Sequence, residues 1–186
     1  MDTFRLKVDS EIELRLLEEE DAQPLSALVD TNREELAKWF PWVEESRYPE
    51  GILEYIRLSR ERFWEGKTLD CSLWYQGKPA GSIGIKDINK ENNRAGEIGY
   101  WLDKKSWKKG VMTKACRGLI GHAFSRMALN RLEIRSATDN LRSQRIPERL
   151  GFVREGVLRQ AQYLKGDVKD LVLFSMIAED WTNGQG

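Results

Sequence analysis

Ile12, Leu14 and Leu16 alternate with charged neighbours, the period of two expected of a strand with one buried face. The acidic run from Glu18 to Asp21 then suits a helix start. Two helices are predicted next, over about 22–37 and 49–65. The second carries Ile52, Leu53, Ile56, Leu58 and Phe63 as its apolar residues and ends at Gly66. Trp39-Phe40-Pro41-Trp42 lies between them. Residues 69–75, the cluster Gln76-Gly77-Lys78-Pro79 and residues 80–87 read as a hairpin, because turn-forming residues separate two β-prone runs. A polar loop, 89–94, leads into a strand over 96–102. Beyond Gly110, apolar residues at Met112, Ala115, Cys116, Leu119, Ile120, Ala123, Phe124 and Met127 repeat with the helical period and give a broad buried face. A strand over 131–137, a short helix over 143–149 and closing strands over 152–159 and 171–178 complete the pattern. Strands alternating with helices in the middle, with hairpins at both ends, predict a mixed α/β sheet in a single domain, 1–186.

A chain of 186 residues can bury a core without disulfides or metal. Lys plus Arg and Asp plus Glu are both 30, so no strong field favours a nucleic-acid partner, whose binding rests on phosphate neutralisation. Cys71 and Cys116 sit in apolar segments without metal or disulfide spacing and read as buried, inert thiols of a reducing compartment. Met1-Asp2-Thr3-Phe4-Arg5 lacks a secretory pattern, and no apolar run approaches the roughly 20 residues of a membrane span, so a cytoplasmic location is expected.

The informative stretch is Gly96-Glu97-Ile98-Gly99-Tyr100-Trp101-Leu102, followed by a basic turn with Lys104, Lys105, Lys108 and Lys109, then Gly110-Val111-Met112-Thr113. A strand running into a glycine-containing turn that opens a helix offers backbone N–H groups to phosphate. Together with Asp139-Asn140-Leu141-Arg142-Ser143 and Glu148-Arg149-Leu150-Gly151-Phe152, this layout resembles the GNAT superfamily of acetyl-CoA-dependent N-acetyltransferases. It looks most like the branch that acetylates the N-termini of ribosomal proteins, and the resemblance runs from Ile12 to Trp181. The resemblance implies the GNAT fold, a mostly antiparallel twisted sheet of six to seven strands flanked by about four helices, with acetyl-CoA as cofactor and a homodimer as the assembly. The family's phosphate turn falls on Trp107, Lys108, Lys109, Gly110, Val111 and Met112. Only the central Gly110 is kept, while Met112 and Thr113 match the ribosomal branch. Tyr100, Trp101 and Leu102 would offer a strand edge to the pantetheine arm. Asn140 and Ser143 match the second motif, in which an asparagine reaches pantetheine and a small residue lies near the thiol. Asn140 also reads as a helix cap.

Acetyl transfer needs a neutral amine, a polarised thioester carbonyl and a proton donor for the departing thiolate. The tyrosine that many relatives use as donor corresponds here to Pro147, and Ser143 matches the serine that serves in the ribosomal branch. Some relatives carry a carboxylate where this chain has Gln162, within Ala161-Gln162-Tyr163-Leu164-Lys165-Gly166. Glutamine cannot accept the amine's proton. Glu97 is the replacement candidate, its pKa raised by burial, or else an ordinary strand carboxylate paired with a neighbour such as Arg94. Asp170 and Tyr163 are candidates for holding the acceptor; Asp170 reads equally as a hairpin-stabilising carboxylate. Trp39, Phe40 and Trp42 either line a substrate cleft, cap the core or sit in a dimer contact. His122, the single histidine, reads as packing. The expected acceptor is a protein N-terminal α-amine, against which stand two rivals, a small-amine acetyltransferase and a non-catalytic acyl-CoA-binding module.

Overall fold

A computed structural model describes residues 4–45, 49–164 and 166–183. Its strands are β1 (Arg5–Lys7), β2 (Ile12–Leu16), β3 (Leu69–Tyr75), β4 (Lys78–Asn89), β5 (Ala95–Leu102), β6 (Arg131–Ala137), β7 (Val153–Leu164) and β8 (Asp167–Ile177). They form one sheet in the order β1-β2-β3-β4-β5-β6-β8-β7. Every neighbouring pair is antiparallel except β5 with β6. The eight strands correct the expected six to seven: β1, which aligns Arg5 with Arg15, has only three residues and shows no readable period. The closing hairpin is also longer than predicted. The polar residues Arg159, Gln160 and Gln162 hide the strand character of its outer half, where pairing continues to Leu164 and Asp167.

The four predicted helices are present as α1 (Ala22–Leu36), α3 (Pro49–Trp64), α4 (Val111–Ser125) and α5 (Leu141–Leu150). Two short ones, α2 (Trp42–Glu45) and α6 (Ala178–Asn183), were not legible in the pattern. Alternation along each strand sends one set of side chains to each face. Leu14, Cys71, Leu73, Ile83, Ile85, Ile98, Ile134 and Phe174 face α4 and build the main core with Ala115, Cys116, Leu119, Ile120 and Ala123. Both thiols are buried, and burial pushes their pKa values up, which keeps them protonated and inert. On the opposite face α1 and α3 bury a second cluster that includes Leu25, Val29, Ile52 and Ile56.

One irregularity decides where a ligand can enter. β5 and β6 are paired only over Ala95 with Arg131, Gly96 with Leu132 and Glu97 with Glu133. Past that point β5 continues against β4 as far as Leu102, and β6 continues against β8 as far as Ala137. The two strands therefore part, and each leaves one backbone edge without its sheet partner.

α4 holds the centre of the main core, and Leu119 is wholly buried within it. Leu119→Ala is expected to lower unfolding stability by about 2–5 kcal/mol, the usual cost of an unfilled core cavity, measured by urea titration with an unchanged m-value.

Candidate active site

A cavity of about 800 Å³ lies where β5 and β6 part. Its lining comes from both faces of the sheet. Tyr100, Ile134, Ser136, Asn140 and Ser143 form one end, and Asp70, Gly84, Lys86, Glu97, Gly99 and Trp101 form the other. Trp39, Phe40 and Trp42 line its rim, with ring centroids 5.7 Å apart for Phe40 and Trp42 and 6.4 Å apart for Trp42 and Trp101. Gln162 also lines the cavity, but its amide donates to the Trp39 carbonyl at 3.0 Å and so fixes the aromatic segment.

The turn between β5 and α4 is held by a buried polar pair. Asn32 of α1 donates to Asp103 Oδ1 at 3.0 Å, and its own Oδ1 accepts the Lys104 N–H at 3.0 Å. Trp107 is one of the positions where this turn departs from the pattern that the resemblance implies. Its indole N–H donates to the Leu102 carbonyl at 3.0 Å, while the Arg142 guanidinium lies 3.6 Å above its ring. The departure thus ties the turn to the start of α5. Lys108 and Gly110 both have positive φ, +61° and +75°. Gly110 caps α4 without any side-chain bond, and Lys114 N–H is bonded to its carbonyl at 3.0 Å. The amides of Val111, Met112 and Thr113 precede that bond, which is the arrangement that receives anions at a helix start. Trp107 to Thr113 do not line the cavity itself; they follow it in the chain, past the end of β5.

Asn140 fills both of its expected places. It caps α5 by accepting the Ser143 N–H at 3.2 Å, and it lines the cavity. Pro147 lies inside α5 and has no N–H for the Ser143 carbonyl one turn earlier. Tyr100 supplies the missing donor, its hydroxyl bonding that carbonyl at 3.1 Å, and in return it accepts from Ser143 Oγ at 3.3 Å. Burial pushes the Tyr100 pKa up, so the phenol keeps its proton. Ser136 Oγ is a buried polar atom without a hydrogen-bond partner among the described residues, and it lines the same end of the cavity. An unpaired buried hydroxyl, a freed strand edge and an uncapped basic helix start fit a ligand with amides at one end and phosphates at the other.

Glu97 lines the opposite end and is paired, as the structural alternative foresaw, though with different partners. Its two oxygens meet Lys86 at 3.0 Å and Arg135 at 3.4 Å. Arg94 instead donates to the Ala128 carbonyl. Asp170 accepts the Gln160 N–H at 2.7 Å, which makes it the hairpin-stabilising carboxylate, beside the positive φ of +51° at Gln160. Tyr163 is 68% exposed, and neither it nor Asp170 lines the cavity. Trp101 turns its ring towards Trp42 rather than to the phosphate turn, and Leu102 packs on the main core. His122 packs edge-on against Phe4, 4.8 Å between centroids, and burial lowers its pKa, as a packing role requires. Sequence reasoning passed over Asp70, Lys86, Arg135 and Asn32. Asp70 is the one with a signal, a charged residue between apolar Leu69 and Cys71, but only α3 folding over it makes it part of a cavity.

Residues 11–153 match the family described as acetyltransferase (GNAT) domain. YdaF of Bacillus subtilis, a candidate ribosomal N-acetyltransferase, is 36% identical over 179 residues, which cover 96% of this chain and 97% of that protein. The ribosomal-protein-serine acetyltransferase of Escherichia coli is 28% identical over 95% of this chain and 98% of its own length. The solved structure of RimL, a ribosomal L7/L12 α-N-protein acetyltransferase in complex with coenzyme A, superposes with a TM-score of 0.91 at 26% identity, over 95% of this chain and 99% of that one. The motif after β5, the parted strands and these relatives agree: the chain belongs to the GNAT acetyltransferase family and is an acetyl-CoA-dependent N-acetyltransferase.

Proposed function

We propose that the acceptor is the N-terminal α-amine of a protein, a ribosomal protein in the first instance, and that the whole chain acts as one such domain in a cytoplasmic homodimer. The observation that carries this reading is the cavity that crosses the sheet where β5 and β6 part. Its volume, about 800 Å³, lies near the upper end of ordinary ligand pockets, and it opens beneath Trp39, Phe40 and Trp42. The names of the relatives above point the same way. No helix among the described residues is long and apolar enough to cross a membrane.

In this reading the amides and lysines of residues 107–113 hold the pyrophosphate of acetyl-CoA, and the freed edge of β5 from Tyr100 to Leu102 receives the pantetheine amides. Asn140 and Ser136 face the same arm, while Trp39 and Trp42 receive the acceptor. Acetyl-CoA supplies the activated thioester. Ser143 gives its hydroxyl proton to the departing sulfur, from an Oγ that Tyr100 already orients. An α-amine suits a site with modest base assistance. Its pKa of about 7.7–8.0 leaves a useful neutral fraction at pH 7–8, whereas a lysine amine near 10.4 stays almost wholly charged.

Mass spectrometry of acetyl transfer to three probes tests the acceptor: a peptide with a free N-terminus, the same peptide capped and carrying an internal lysine, and spermidine. Transfer to the free N-terminus alone is expected. Preference for spermidine would make the enzyme a small-amine acetyltransferase, and coenzyme A binding without transfer to any probe would make it a non-catalytic module. Gly110→Gln is expected to weaken coenzyme A binding at least tenfold in calorimetry, because the side chain strains a positive φ and crowds the phosphates. Unchanged affinity would place the phosphates elsewhere. Ser143→Ala should lower kcat by about 10²-fold or more with cofactor affinity retained. Tyr100→Phe leaves the Ser143 carbonyl without its donor, so unfolding stability should fall by about 1–3 kcal/mol in urea; an unchanged midpoint would show that another donor satisfies it.

A further inference from the structure

Gln162, where the resemblance implies a carboxylate in some relatives, is engaged with the Trp39 backbone. Glu97, the other carboxylate near the parted strands, has each oxygen against a cation. Asp70 is different. It lines the same cavity, is half-buried, and makes no salt bridge among the described residues. Ser59 Oγ donates to its Oδ2 at 2.8 Å, and the Tyr55 hydroxyl hydrogen-bonds the same carboxyl. A half-buried carboxylate with no salt bridge among the described residues, in the wall of a cavity that must admit an ammonium group, is placed to receive one.

Its approach to the reacting end is built into the sheet. Asp70 stands opposite Gly84, and Gly84 stands opposite Gly99, so all three share one face. A side chain at Gly84 would collide with Asp70 Oδ1, which shows that the carboxyl leans over Gly84 towards β5. At Gly99 a Cβ would meet open space. From Gly84 to Gly99 is one strand spacing, about 5 Å, with no side chain in between. Gly99 lies in the segment of β5 whose edge is released when β6 departs.

We propose that Asp70 receives the acceptor's ammonium group and takes its proton, with the floor formed by Gly84 and Gly99 as the path to the thioester. This rests on the acetyltransferase reading but not on the identity of the amine. The ammonium transfers one proton to a carboxylate oxygen of Asp70. The nitrogen lone pair then attacks the thioester carbonyl carbon, the C–N bond forms and the C–S bond breaks. Sulfur takes a proton from Ser143, and the second proton lost by nitrogen restores the serine. Asp70 finally releases its own proton to solvent, so free coenzyme A, the amide and one proton balance the acylated cofactor and the ammonium. Burial raises the Asp70 pKa, which brings the carboxyl closer to the amine it must deprotonate. The ionisable groups facing it are Tyr55 and Arg62 on α3, and Lys86 and Glu97 farther along the sheet face, while Cys71 next to it on β3 points to the opposite face. Arg62 is itself held by Asp87 at 3.5 Å, and α1 presents only apolar Leu25 and Val29 to the cavity.

The test compares pH–rate profiles of kcat/KM for the parent, Asp70→Asn and Glu97→Gln with the free-N-terminus peptide and with spermidine. On the peptide the parent should stay active below the amine's pKa. Asp70→Asn should lose about 10²–10⁴-fold at pH 7 and fall about tenfold for each pH unit below about 7.7, recovering as the amine ionises unaided. Glu97→Gln should keep the parent's profile shape. Superimposable profiles for Asp70→Asn and the parent would overturn the proposal, and an amine-limited profile for Glu97→Gln alone would return the role to Glu97. Spermidine as sole acceptor would refute the α-amine reading while leaving the Asp70 comparison decidable on that amine.

Stability gives a second readout. A carboxyl whose pKa is raised by folding favours the fold fully at pH below its unfolded value. That contribution is lost as pH rises through the folded one. Asp70→Asn should therefore raise Tm at pH 7 relative to the parent and lose that advantage towards pH 4. A Tm that falls equally at both values would mark Asp70 as a structural anchor and overturn the proposal.

Discussion

A sheet can bind a ligand through its middle only if two neighbouring strands stop sharing hydrogen bonds there, and here the parallel pair β5 and β6 does so after three residue pairs. Antiparallel partners on the far sides, β4 and β8, hold each strand in place while the gap opens. The gap therefore costs no loss of strand order and leaves backbone amides available to a ligand. The site is arranged around it: the basic turn that opens α4 follows the end of β5, α5 brings Asn140 and Ser143 to one side, and Asp70 and Glu97 stand on the other.

Two local substitutions are absorbed by long-range contacts. Pro147 removes a backbone donor inside α5, and the chain answers with the Tyr100 hydroxyl from β5. The same contact orients Ser143 Oγ, so a helix defect and a candidate proton donor share one tyrosine. Trp107 is the second case. A bulky ring in this turn becomes a strut, held by the Leu102 carbonyl and covered by Arg142 of α5. Asn32 performs a comparable service from α1, reaching 72 positions along the chain to the Lys104 amide.

The acceptor side shows how glycine shapes chemistry by omission. Gly84 and Gly99 face one another across β4 and β5: the absent side chain at Gly84 makes room for the Asp70 carboxyl, and that at Gly99 leaves open space. Glu97, with Lys86 and Arg135, joins an ionic network beside these glycines that continues through Glu133 to Arg131. Asp70 makes no salt bridge among the described residues and leaves its carboxyl open to the cavity.

Much of this was legible in residue order. Alternation located β2, a turn cluster between β-prone runs located β3 and β4, apolar spacing located α3 and α4, and the glycine turn with Asn140 and Ser143 pointed to the family, because these signals are local and each residue's backbone preference is its own. Short β1 and the polar outer half of the β7 and β8 hairpin escaped, since pairing with a distant strand, not local pattern, makes them strands. The site divided the same way. Gly110 and Asn140 act through their own backbone neighbourhood and could be named from their spacing. Which carboxylate is paired and which stands open, whether Tyr163 faces solvent, and that a tyrosine answers a proline 47 positions away were decided only when the strands crossed and α3 closed over β3. Electrostatic partnership and burial are properties of distance in space, and a chain read in order carries no such distances.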